Sequence, residues 1–167
     1  MLSGNELVFL NWRSLAFKFL KRLITRKFPT VQWITTSELA LWLEDPVKLQ
    51  PTVLDARSEA EYDTSHLKLA KRIDPNYPDV AALAGSKDKP IVVYCSVGYR
   101  SAAVASRLVQ AGFSHIYNLE GSLFEWVNSG RPVFKDDCPT LLVHPYNSTW
   151  GKLLKHRHRA QMDCRGL

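Results

Sequence analysis

The stretch 92-VVYCSVGYRS-101 decides how this chain is read. Val92, Val93 and Tyr94 run straight into Cys95, and a small glycine-containing loop leads on to Arg100 and Ser101. Starting from Pro90, 91-IVVYC-95 has the make-up of a strand buried on both faces. From Ser101 to Ala111 the period turns helical, with Val104, Leu108 and Ala111 on one face, and Gly112 is a fitting stop. A buried strand, a tight loop and a helix in that order predict a mainly parallel α/β sheet. They also put Cys95 at the carboxyl end of a strand, where such sheets carry their sites.

The flanking segments repeat the alternation. Thr35-Thr36-Ser37-Glu38 offers a capping box for a short helix that ends at Asp45-Pro46. The stretch 51-PTVLDAR-57 reads as a buried strand ending in charge, and 58-SEAEYDTSH-66 suits a helical turn and a loop. A brief strand is expected around Arg72-Ile73-Asp74-Pro75, and a helix from Val80 to Leu83 stopped by Gly85. Then 115-HIYNL-119 is a strand and 122-SLFEWVNS-129 a helix ended by Gly130.

At 167 residues the length suits one domain with extensions. The expected division is a basic amphipathic extension over 1–30, a domain over 31–135 and a basic extension over 136–167. Three cysteines are too few for a disulfide framework, so a reducing, cytoplasmic compartment is expected. No apolar run approaches the roughly 18 residues of a membrane span. The net charge of +6 belongs to the ends: +5 over residues 1–30, +4 over 141–167, and −3 between them. An acidic middle argues against a nucleic-acid-binding domain.

The loop after Cys95 has the parts of an anion cradle. Backbone N–H groups at a helix start lack partners and point outward, and Gly98 can take positive φ at no cost. A thiol held there is acidified, to pKa values of roughly 3.5–7.5 in known cases. Arg100 adds a fixed cation with forked donors. Cys95 therefore reads as a nucleophilic thiolate beside a nest formed by Ser96, Val97, Gly98, Tyr99 and Ser101. The competing view, an inert core cysteine, does not explain the loop, the arginine and the helix start together.

The segment 94-YCSVGYRSAAVASRLVQAGF-113 resembles the active-site loop and following helix of rhodanese-like sulfurtransferases. So do 115-HIYNLEGSLFEW-126, with Glu120-Gly121-Ser122 at the family's Glu-Gly-Gly, and 54-LDARSEAEYDTSHLKLAKRI-73, with its Asp-x-Arg-x-x-x-Glu-Tyr pattern. The resemblance covers residues 36–132. Ser65 and Leu69 stand where the family has glycines, and Arg72 where it has Asn.

The resemblance implies a five-stranded parallel sheet flanked by helices. It also implies sulfane-sulfur transfer through a Cys95 persulfide. The donor is a small anion such as thiosulfate or a persulfide, the acceptor is cyanide, a thiol or a protein thiol, and no cofactor, metal or nucleic acid is involved. It suggests that Asp55 and Arg57 orient the rim; an Arg57–Glu61 pair holding a helix start is the equal alternative.

Two other functions compete. Cysteine phosphatases of the same fold have a loop one residue longer, whereas four residues separate Cys95 from Arg100 here. The shorter ring suits a single sulfur atom rather than a phosphoryl group. A non-catalytic docking module is the other, and an intact cysteine loop counts against it. His66 reads as a loop hydrogen-bonding group, Cys138 and Cys164 as spare thiols or resolving partners, and His144, His156 and His158 lack metal-binding spacing.

The ends differ in style. In 6-ELVFLNWRSLAFKFLKRLITRKF-28 polar and apolar residues recur at steps of three or four, giving a basic amphipathic helix too charged to span a bilayer. It fits a helix packed on the domain, a helix on an anionic membrane surface, or an organellar presequence. The tail 141-LLVHPYNSTWGKLLKHRHR-159 offers a turn at His144-Pro145 and a short basic helix after Ser148.

Overall fold

The structure, a computed structural model, describes residues 4–161, with side chains throughout except those of 4–11 and Ser86. Ile91, Val92, Val93 and Tyr94 are all buried and form the central strand β4 of a five-stranded sheet. Its companions are β1 (Gln32–Ile34), β2 (Thr52–Asp55), β3 (Lys71–Arg72) and β5 (Ile116–Leu119). The order is β1-β5-β4-β2-β3 and every pairing is parallel. Register aligns Val53 and Asp55 of β2 with Val92 and Tyr94 of β4, and Tyr117 of β5 with Val92.

Side chains alternate across a strand, so β4 sorts the core into two layers. Val92 and Tyr94 join Leu39, Leu119, Phe124 and Val127 on one side. Ile91, Val93 and Cys95 join Val104, Ala105 and Leu108 on the other. The helices that cover these layers are α2 (Thr36–Glu44), α3 (Glu59–Thr64), α4 (Tyr99–Gln110) and α5 (Ser122–Asn128). The predicted capping box forms between Thr35 and Glu38, and a second joins Ser58 to Glu61 at α3. The expected helix at Val80–Leu83 is instead a 3₁₀ turn over Ala81–Ser86. Antiparallel strands β6 (Val133–Lys135) and β7 (Cys138–Thr140) meet at Asp136 and Asp137, both with positive φ, as a two-residue hairpin requires.

Both ends pack on this body. Helix α1 (Gly4–Lys27) buries Phe17 in the β1/α2/α5 layer, with Ala16 and Leu20 against it. Ile24 is also buried, and Lys21 Nζ lies 2.5 Å from Glu120 Oε2. Beyond β7, Val143, Leu153 and Leu154 enter the same layer, and Asn128 holds the tail through Leu153 O and Lys155 N, both at 2.8 Å. No helix among the described residues is long and apolar enough to cross a membrane. Cys164 lies outside the described residues.

Docking of α1 through one face has a measurable consequence. Phe17→Ala should lower the unfolding free energy by about 3 kcal/mol in a denaturant titration, the usual loss for a buried aromatic. Phe19→Ala, on the face left 61% exposed, should change it by no more than about 0.5 kcal/mol. Equal losses at the two positions would contradict the packing.

Candidate active site

The chain leaves β4 at Tyr94, and Cys95 is the next side chain on the α4 side of the sheet. Four groups from the far end of β5 and the start of α5 then fix the loop. Leu123 N and Phe124 N donate to Cys95 O and Ser96 O, both at 3.1 Å. Ser122 Oγ accepts from Cys95 N at 3.1 Å and donates to Leu119 O at 3.2 Å. Buried Asn118 donates through Nδ2 to Gly98 O at 2.9 Å. Gly98 sits at φ 109°, a conformation few side chains tolerate, and caps the start of α4.

That turn points donors back at the thiol. Gly98 N lies 3.1 Å from Cys95 Sγ, and Ser101 Oγ lies 3.4 Å from it. Burial pushes the Cys95 thiol up. The Arg100 charge, the Ser101 hydroxyl and N–H, and the Gly98 N–H outweigh it, leaving the pKa below the ordinary thiol value. Cys95 is 1% exposed, so its thiolate is held by protein donors rather than by water.

Arg100 does not extend freely over the loop. It makes a bidentate pair with Glu61, Nη1 to Oε2 at 2.7 Å and Nη2 to Oε1 at 2.8 Å. Nη2 also reaches Ser96 Oγ at 3.1 Å, while Ser96 Oγ donates to Glu61 Oε1 at 2.9 Å. The Tyr146 ring from the C-terminal segment lies 4.7 Å from the guanidinium carbon. Burial would raise the Glu61 carboxyl, but the hydrogen bonds and charge of Arg100, with Ser58 and Ser96, bring it down to about 2. Arg100 is thus a structural cation whose field reaches Cys95.

Asp55 and Arg57 are fully buried and paired with each other. Arg57 Nη2 donates to Asp55 Oδ2 and to Ser65 O, both at 2.6 Å, and Tyr94 OH donates to Asp55 Oδ2 at 2.6 Å. They brace the 65–67 turn, where Leu67 N donates to Tyr94 OH at 3.0 Å. Glu61 pairs with Arg100, and Arg57 with Asp55. Val97 is half-buried and Ser96 and Ser101 are buried, while Tyr99 is exposed at the rim. Tyr99 meets Phe28 edge-on at 5.8 Å and its hydroxyl accepts from Lys27 Nζ. His66 stacks on Tyr62, and exposed Cys138 lies in β7, apart from the loop.

Asn118 and Tyr146 were not singled out from the sequence. Glu61 was read there only as a partner of Arg57, and Ser122 only as the last position of the Glu-Gly-Gly pattern; their bonds to Arg100 and Cys95 were not foreseen.

Two expectations follow from these charges. Arg100→Ala should shift the pH profile of Cys95 alkylation upward, because the largest charge favouring the thiolate is gone. An unshifted profile would assign the activation to the N–H groups and Ser101 alone. The Glu61 carboxyl lies below its ordinary 4.5, so its stabilisation is complete above that pH and fades as pH falls toward 2. Glu61→Gln should flatten that part of the stability–pH curve, and a wild-type acid limb in the variant would contradict the pairing.

Comparison with known proteins agrees with this geometry. The model of the rhodanese-like domain matches residues 35–129. A tRNA uridine(34) hydroxylase of Hamiltonella defensa is 28% identical over 149 residues, 81% of this chain and 40% of that protein. A probable adenylyltransferase/sulfurtransferase MoeZ of Mycobacterium tuberculosis is 32% identical over 103 residues, 59% of this chain and 25% of that protein. The thiosulfate sulfurtransferase GlpE of Coxiella burnetii is 31% identical over 90 residues, 54% of this chain and 83% of that protein. This chain thus spans less than half the length of the first two of these relatives. Among solved structures, the rhodanese-like domain of an Anabaena protein matches with a TM-score of 0.56 at 25% identity, over 63% of this chain and 80% of that one. With a matched family model, a five-stranded parallel sheet and a cysteine loop at the end of its central strand, this chain belongs to the rhodanese-like domain family.

Proposed function

We propose that this protein transfers sulfane sulfur through a persulfide on Cys95. The observation that carries the proposal is the pair of donors, Gly98 N–H and Ser101 Oγ, aimed at one buried sulfur atom beside the Arg100 charge. The Cys95 thiolate attacks the outer sulfur of a donor such as thiosulfate or an organic persulfide. A new S–S bond forms, the donor's S–S bond breaks, and sulfite or a thiolate leaves with the electron pair. The terminal sulfur of the resulting anionic persulfide rests against the same N–H groups. An acceptor, cyanide or a small or protein thiol, then attacks that sulfur, and the Cys95 thiolate leaves. This is covalent double displacement, with no net oxidation.

Two further features support sulfur transfer. Four residues separate Cys95 from Arg100, and with Arg100 held by Glu61 the loop encloses a sulfur atom rather than cradling a phosphoryl group with three equatorial oxygens. The sulfurtransferase names among the relatives point the same way, although a hydroxylase-named relative shares the domain. A reducing, cytoplasmic setting fits a mechanism that turns over a free thiolate.

Thiosulfate:cyanide and persulfide:thiol transfer rates should fall to background in Cys95→Ser and stay close to wild type in Cys138→Ser. Aryl phosphate should be inert to the wild type. Cys95-dependent phosphatase turnover, or full sulfur transfer in Cys95→Ser, would overturn the proposal.

A further inference from the structure

Helix α1 carries two apolar faces, and among the described residues the fold buries only one. Phe17, Leu20 and Ile24 face the body. Trp12, Leu15, Phe19 and Leu23 are spaced to share another face, and they are exposed by 41, 58, 61 and 43%. At the helical rise this second stripe is about 16 Å long. A surface helix of a self-contained domain ordinarily shows water a polar face.

The charges around the stripe name what covers it. Between Trp12 and Lys27 there is no acidic residue. Arg13 and Lys21 are turned to the body, toward Lys152 O and Glu120. Lys18, Arg22, Arg26 and Lys27 are exposed, and among the described residues none is paired with a carboxylate. By helical spacing Lys18 and Arg22 flank one side of the stripe, Lys27 the other, and Arg26 follows its C-terminal end. Large apolar side chains bordered by cations are complementary to an anionic, apolar-cored surface. A second copy of the chain seated on the stripe would bring the same unpaired cations into contact with these.

We infer that the exposed face of α1 docks the protein on an anionic lipid surface. Trp12, Leu15, Phe19 and Leu23 enter the headgroup boundary, and Lys18, Arg22, Arg26 and Lys27 meet the lipid charge. Helix α1 ends against the catalytic loop, with Ile24 under Gly98 and Lys27 and Phe28 against Tyr99. Docking therefore holds the loop that carries Cys95 next to the membrane-bound helix, whatever sulfur compound that site uses.

Co-sedimentation of the full chain with phosphatidylglycerol–phosphatidylcholine vesicles, against phosphatidylcholine alone, tests this at low and high salt. Binding should require phosphatidylglycerol and weaken with salt. Replacing Arg22 and Arg26 by Gln should weaken it about 25-fold, from roughly fivefold per basic side chain. Phe19→Ser should weaken it too, while leaving the melting temperature and Cys95 alkylation as in wild type. Protein left in the supernatant with anionic vesicles at low salt would overturn the inference. So would binding indifferent to lipid charge and to these substitutions, or a dimer in solution that Phe19→Ser dissociates.

Discussion

The Glu61 carboxylate is the junction on which the site depends. It caps α3 by accepting from Ser58 N at 3.1 Å, holds Arg100 through two hydrogen bonds, and accepts the Ser96 hydroxyl. One buried acid thereby ties the segment after β2 to both sides of the loop after β4. Removing one partner of such a pair strands the other charge in a poor solvent, which is why the arrangement resists change more than its net stabilisation suggests. A second buried pair, Asp55 with Arg57, braces the neighbouring turn through Ser65 O and Tyr94.

With those pairs in place the loop is suspended between two helix starts. Helix α4 begins where Gly98 turns its N–H to the sulfur, while the first N–H groups of α5 hold the carbonyls of Cys95 and Ser96. Each set of donors would otherwise lack a partner. The backbone is thus fixed before any ligand arrives, and the thiolate needs little rearrangement around it. Ser122 shows what the geometry demands. It stands at φ 50°, where the family pattern has glycine, and its hydroxyl bonds to Cys95 N and Leu119 O offset the strain. Leu69 is the same case without that compensation, at φ 61° with an exposed side chain.

Much of this was legible in the sequence because it rests on local rules. The apolar run into Cys95, the α4 pattern, Gly98 and the Thr35–Glu38 capping box depend on neighbours within a few residues, and they appear as expected. Strand β1 was not expected, since three residues are too few to show a period. The hairpin of β6 and β7 also went unread, because Asp136-Asp137 lacks the glycine that usually marks such a turn. At the site, partner choice was hidden. Arg57 could reach either Asp55 or Glu61, and only the fold brings Arg100 to Glu61 from 39 residues away. Tyr146 comes from farther still, by a tail whose path local rules do not dictate. The amphipathic pattern of α1 was visible, but which of its apolar residues face the body is a property of packing.

The central claim is that Cys95 carries the sulfur. Intact-mass analysis of the full chain after incubation with thiosulfate or an organic persulfide, followed by peptide mapping, tests it most directly. The account predicts a gain of one sulfur atom on Cys95, lost again on adding cyanide or thiol. A chain that gains no sulfur, or gains it on Cys138 with Cys95 unmodified, would contradict it.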